Sequence, residues 1–127
     1  MDENFSPRVK DVISFSKEEA IRLGHDYIGT EHLMLGLIRE GEGSAIKILE
    51  ELGVDINGFR RQIEAISAPN VHGQISSKKH LPLTRQAEKA LKTTFLEAKL
   101  FQSDTIRTSH LLLCILRNDD DPVARTL

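Results

Sequence analysis

Sliding the chain against itself by 78 residues lays Phe5–Leu49 over Leu83–Leu127 without a gap. Ten of the forty-five pairs are identical, among them Glu19/Glu97, Asp26/Asp104, Thr30/Thr108, His32/His110 and Arg39/Arg117. The densest stretch is "TEHLMLGLIREGEGSA" from Thr30, answered by "TSHLLLCILRNDDDPV" from Thr108. Self-similarity of this kind restricts the fold before any single residue is weighed. The period is too long for a solenoid unit, and only two copies fit into 127 residues. A duplicated half-domain about a pseudo-twofold axis is the simplest account.

Each copy reads as helices. Ser6 can cap the first, and Pro7 suits its first position, where no N–H is needed. Val9, Val12, Ile13, Ser16, Ala20 and Leu23 recur at the spacing of one helical face, and Gly24 ends the run. Ala87, Ala90, Leu91, Thr94, Ala98 and Phe101 repeat that stripe behind the cap Thr84. A short connection, "HDYIG" or "SDTIR", leads to Thr30 or Thr108 as the next N-cap. There follow the nearly all-apolar helices Leu33–Ile38 and Leu111–Leu116, which must be buried. Gly41 and Gly43 precede a third helix near Ser44–Leu52, closed by Gly53, and Asp121-Pro122 opens its counterpart. Asp55 opens a fourth, with Ile56, Phe59, Ile63 and Ile66 on one face.

The expected architecture is therefore all-α. It is a compact helical bundle built by pseudo-twofold duplication of a four-helix unit, the last helix of the second unit being absent before Leu127. One domain is expected over 1–127, with a first repeat at 5–66, a linker at 67–82 and a second repeat at 83–127. The linker is rich in Ser, Pro and Gly, and nothing in it alternates as a strand does.

Composition excludes several functions. Hydrophobic residues at 39% and charged residues at 28% describe a globular chain whose core is aliphatic, with no Trp and one Tyr. A net charge of −2 argues against nucleic acid as a partner, and Lys78-Lys79 reads as a solvated pair. The single cysteine, Cys114, lies within "LLLCIL", forms no internal disulfide and reads as a core residue in a reducing compartment. No apolar run is long enough to span a bilayer, and "MDENFSPR" lacks a secretory signature. A soluble, cytoplasmic chain is expected.

The five histidines are scattered without metal-ligand spacing, so no metal is expected. His32 and His110 read as structural, each bonding a neighbouring backbone or carboxylate. Glu31 and His32, being adjacent, point in different directions and make a poor acid–base pair. No nucleophile elbow, dinucleotide fingerprint or phosphate loop occurs, and "GEGSA" lacks the lysine. Helix starts remain, where free N–H groups and the helix dipole favour an anion. Ser6 with the N–H groups of Arg8 and Val9 offers one such place, and Thr84 with Arg85 and Gln86 its counterpart. Glu31, in a first turn, also stabilises its helix by a few tenths of a kcal/mol.

"IGTEHLMLGLIREGEGSA", preceded by "EEAIRLGHDY" and repeated more loosely after a second long helix, resembles the N-terminal Clp repeat domain of ClpC-type AAA+ unfoldases. The resemblance runs from Phe5 to Leu127. It implies a non-catalytic domain of two four-helix repeats, mounted on an ATPase ring that feeds the ClpP protease. Adaptor proteins and protein substrates would be its partners, with no nucleic acid or membrane. No cofactor is implied in this stretch, since ATP and magnesium belong to ATPase modules outside it. A monomeric domain on a hexameric parent is expected.

The resemblance further implies two pockets for phosphoarginine, one at Ser6, Arg8 and Glu31 and a second at Thr84, Arg85 and Ser109. Phosphate would rest on a helix N-terminus while the guanidinium meets a carboxylate, a pairing that can be bidentate. The chain departs from this pattern at Ser109, which replaces the second glutamate and should weaken that pocket. Pro7 removes one first-turn N–H, Arg107 stands where the first copy has Gly29, and Cys114 where it has Gly36. The contrasting expectation is a structural or oligomerising domain that touches no substrate.

Overall fold

Pro7 stands first in helix α1 (Pro7–Arg22), where its missing N–H costs nothing. The computed structural model describes residues 7–41, 43–66, 81–100 and 108–116, and of residues 97–100 and 108 the backbone alone. Ser6, the linker as far as His80, Phe101 and the Asp121-Pro122 helix start lie outside the described residues. After α1 come α2 (Thr30–Glu40), α3 (Ser44–Glu51), α4 (Ile56–Ile66), α5 (Arg85–Leu100) and α6 (Thr108–Leu116). The protein is an all-α bundle.

The repeat is written into the register. α5 begins and ends 78 residues after α1, and α6 begins 78 residues after α2. The stripe expected on α1 is the buried one, with Val9, Val12, Ser16, Ala20 and Leu23 inside and Ile13 packed at the edge. Ala87, Ala90, Leu91 and Thr94 are its buried equivalents on α5. One small polar detail recurs as well. The Ser16 hydroxyl donates to the Val12 carbonyl at 2.6 Å, and the Thr94 hydroxyl to the Ala90 carbonyl at 2.6 Å.

α1 leaves its axis through Gly24, whose φ of +77° is open to glycine and strained for other residues. The Gly24 N–H bonds the Ile21 carbonyl and the His25 N–H that of Ala20, closing the helix end as a Schellman turn. The chain then reverses, so α2 runs antiparallel to α1, with Arg8 at the start of one bonded to Glu40 at the end of the other, 2.6 Å apart. Gly36 lets the two approach. A Cβ there would stand 2.5 Å from both the Val12 carbonyl and the Ser16 hydroxyl. α2 is the centre of the molecule, touching every other helix, and Thr30 and His32–Leu37 are all buried on it. That is the fate of a helix apolar on most faces.

α3 packs against α6, and α4 folds back on α2 with Phe59 and Ile63 buried. Two local expectations change. Ile66, expected on the buried face of α4, is 47% exposed because the helix ends there. Thr30 is the first helical residue of α2, and Gly29 is the N-cap. The capping bond comes from a longer reach: His32 turns its Nδ1 back to accept the Gly29 N–H at 2.8 Å. Among the described residues there is no strand; a single parallel bridge joins Ile28 to Leu83.

Candidate functional site

That bridge decides which residues meet. The Ile28 N–H donates to the Pro82 carbonyl at 2.8 Å, and the Thr84 N–H donates to the Ile28 carbonyl at 2.9 Å. The starts of α2 and α5, one from each half, are thereby fixed side by side. The sequence pairs Glu31 with Arg8 and with Ser6, which lies outside the described residues; Glu31 and Thr84 each stand within three residues of the bridge. Arg8 is held at Glu40, nine residues along α2 from Glu31 and so about 13 Å away down the axis. Ser109 stands elsewhere, its N–H accepted by the hydroxyl of Ser44 at 3.2 Å.

The start of α5 is conventional. The Thr84 hydroxyl accepts the Ala87 N–H at 3.1 Å, and its carbonyl accepts that of Glu88 at 2.9 Å. Thr84 is thus the cap that the sequence assigns. The N–H groups of the exposed Arg85 and Gln86 are left without a helical acceptor, as first-turn groups are.

The start of α2 is unusual, because aromatic rings brace it from inside. With Nδ1 of the fully buried His32 accepting from Gly29, its proton sits on Nε2 and points to Nδ1 of His25, 2.8 Å away. Tyr27 stacks on His25 at 5.1 Å and stands edge-on to His32 at 5.3 Å. Burial, with His25 as a lesser cause, pushes His32 down to about 4, so the ring is neutral at pH 7. The Glu31 carboxylate lies 3.4 Å from Nδ1, but against a neutral ring this is no ion pair. Burial first, then the charges of Glu31 and Asp26, raises the Tyr27 hydroxyl.

Glu31 itself is 17% exposed, neither sealed off nor free in solvent. Its carboxylate is folded back over Gly29, where a Cβ would collide with it. A negative group is therefore fixed beside a helix start that offers positive N–H dipoles.

His25, Tyr27 and Gly29 carry this geometry, and sequence reasoning notes the change at Gly29 but passes over the two rings. A signal was present in the repeat, where "HDYIG" becomes "SDTIR" and both rings disappear. Cys114 is buried, as a core cysteine should be. Among the described residues no three His, Cys, Asp or Glu side chains gather as a metal site, and no helix is long and apolar enough to cross a membrane.

Fold and site together define a duplicated helical domain with its polar helix starts paired across the two halves. The chain belongs to the Clp repeat (R) N-terminal domain family, which it matches over residues 4–127. It is 36% identical over its whole length to a probable ATP-dependent Clp protease ATP-binding subunit of Chlamydia pneumoniae, and 37% identical over 97% of its length to the negative regulator of genetic competence ClpC/MecB of Bacillus subtilis. It spans 15% of the length of each of these relatives. The N-terminal domain of the ClpD chaperone of Arabidopsis thaliana shares its fold, with a TM-score of 0.74 at 22% identity, over 98% of this chain and 83% of that one.

Proposed function

We propose that this chain is a non-catalytic recruitment domain of a ClpC-type ATPase, taking up adaptors and protein substrates for the ClpP protease. Within that role the α2–α5 junction is a receptor for phosphoarginine side chains. The observation that supports the reading is the pair of backbone hydrogen bonds linking Ile28 to Pro82 and Thr84, which joins the chain just before α2 to the chain just before α5. Phosphate meets the N–H groups of Arg85 and Gln86, with the guanidinium against Glu31. A phosphate on a helix start and a guanidinium on a carboxylate are each favourable alone, and together they select a group carrying both.

The pseudo-twofold relates this pocket to one joining Ser109 to the start of α1. There a hydroxyl replaces the carboxylate, and the Ser109 N–H already serves Ser44. The second pocket is accordingly weak. Calorimetric titration with free phosphoarginine tests the assignment: one molar equivalent should bind, and Glu31→Gln should weaken it about tenfold, the value of one charge-assisted pair. Binding indifferent to Glu31→Gln, or no binding by the parent chain, would sink the phosphoarginine reading. Appreciable ATP turnover by the purified chain would sink the recruitment reading itself.

A further inference from the structure

A groove of about 740 Å³ opens between α1, α2 and α4, and Glu31 is not among the residues that line it. Leu35, Ile38 and Ile56 line it; Leu35 is fully buried and the two isoleucines are half-buried. Arg22, Arg39 and Arg60 stand around them, with the carboxylates of Glu19 and Glu64.

The three guanidinium groups are unequally committed. Arg22 is clamped, with Glu19 at 2.9 and 3.2 Å and Glu64 at 2.8 Å, and it ties α1 to α4. Those bonds also use the carboxylates, so both acids in the wall are already answered. Arg39 lies over the Phe15 ring at 4.6 Å, with Glu19 and Glu18 only at 3.6 and 3.7 Å, beyond hydrogen-bonding distance. Arg60 is exposed and has no carboxylate partner among the described residues. The copy supplies a control: Leu96 stands where the first half has Glu18, and Leu100 where it has Arg22. A helix pair of this design therefore does not need charges at those places in order to pack.

We propose that this groove docks an acidic segment of a partner protein, seating an apolar side chain on Ile38 and Ile56 and a neighbouring carboxylate on Arg60. The assignment rests on the recruitment reading and gives it a second surface with its own chemistry. A cationic segment is disfavoured, since the lining carries three guanidinium groups against two carboxylates, both of which already accept from Arg22. An acidic one meets a guanidinium with no carboxylate partner among the described residues, and a second that is loosely held.

The probe is a short capped peptide of leucine, glutamate and aspartate, titrated at low salt into the isotope-labelled chain. Amide shifts should concentrate at Ile38, Arg39, Asn57 and Arg60. Arg60→Glu should lower affinity about tenfold or more, and Arg61→Glu, one residue on but outside the groove, should change it less than about twofold. Equal loss in both variants would show mere charge attraction and overturn the proposal. So would equal binding of the same peptide with lysine for its acids, or shifts confined to the α2 and α5 starts. Concentration-dependent shifts in the groove without peptide would assign it to a second copy of the chain, which also overturns it. If the groove fails while phosphoarginine still binds at Glu31, the recruitment reading stands and this surface alone falls.

Discussion

The two halves of the molecule share a plan and differ in what lies on it. α1 with α2 and α5 with α6 start in the same register, and both carry the hydroxyl bond into the preceding turn. Yet Leu35 is 1% exposed under α4, while its equivalent Leu113 is 53% exposed with no described element above it. Gly36 admits α1 closely; its equivalent is Cys114. Gly29 and Glu31 change together, to Arg107 and Ser109. That joint change has a steric reason. A Cβ at Gly29 would have to displace the carboxylate folded over it, and removing the acid removes the obstacle. Duplication preserved the apolar stripes that build the bundle and released the residues that give each helix start its chemistry.

The sharpest break in the comparison is a transplant at the helix crossing. Gly36→Cys gives the first half the second half's residue, but its Cβ meets the Val12 carbonyl, which is backbone and cannot swing aside. A loss of about 3 kcal/mol is expected in urea unfolding, the upper part of the range for overpacking. Cys114→Gly should cost about 1 kcal/mol, the ordinary penalty of glycine inside a helix. Equal costs would mean that the two crossings are alike and that Gly36 is no special point of approach.

Much of this asymmetry was legible in the chain, because stripes, caps and stops are local. Pro7 marked a helix start, Gly24 and Gly53 marked ends, and Thr84 caps as its position suggests. Thr30 did not, for a reason outside local propensity. Gly29 takes the cap position, its N–H donated to a histidine three residues on, and the buried Thr30 hydroxyl has no partner among the described residues. The site was harder still. Periodicity invites pairing of residues within one copy, whereas the bridge from Ile28 to Leu83 pairs the copies with each other. Nothing in "HLPLT" announces that bridge, since one peptide pairing has no periodicity to detect. The groove also escaped, because Arg22, Arg39 and Arg60 lie on three different helices.

Acid separates the halves next. His32 titrates near 4 when folded and near 6.5 when unfolded, so the folded state binds fewer protons in between. Its neutral ring contributes fully above pH 6.5, and that contribution is lost as pH falls from there toward 4. At pH 5 the loss is about 2 kcal/mol relative to pH 7. His110, the equivalent, is half-buried where His32 is fully buried. His32→Gln should flatten the steep fall in urea midpoint between pH 7 and 5. A His32 ring titrating above 6 by NMR would end the claim that burial, with His25 beside it, holds the ring neutral.

The smallest change in stability should carry the clearest functional reading. Gly29→Ala adds one carbon where the Glu31 carboxylate rests, and a carboxylate at the end of a flexible side chain can move. Unfolding free energy should shift by less than about 1 kcal/mol, since Gly29 already has an ordinary extended conformation and only the preference at an N-cap changes. Phosphoarginine binding should fall severalfold all the same, because the carboxylate no longer stands opposite the α5 start. The reverse construction is Arg107→Gly with Ser109→Glu, which rebuilds the first half's pair in the second. It should raise the titrated stoichiometry from one toward two, and either substitution alone should do less. Should the double variant bind no more ligand than the parent, the halves differ by more than this pair of residues, and the Ser44 hydroxyl on the Ser109 N–H becomes the next point to change.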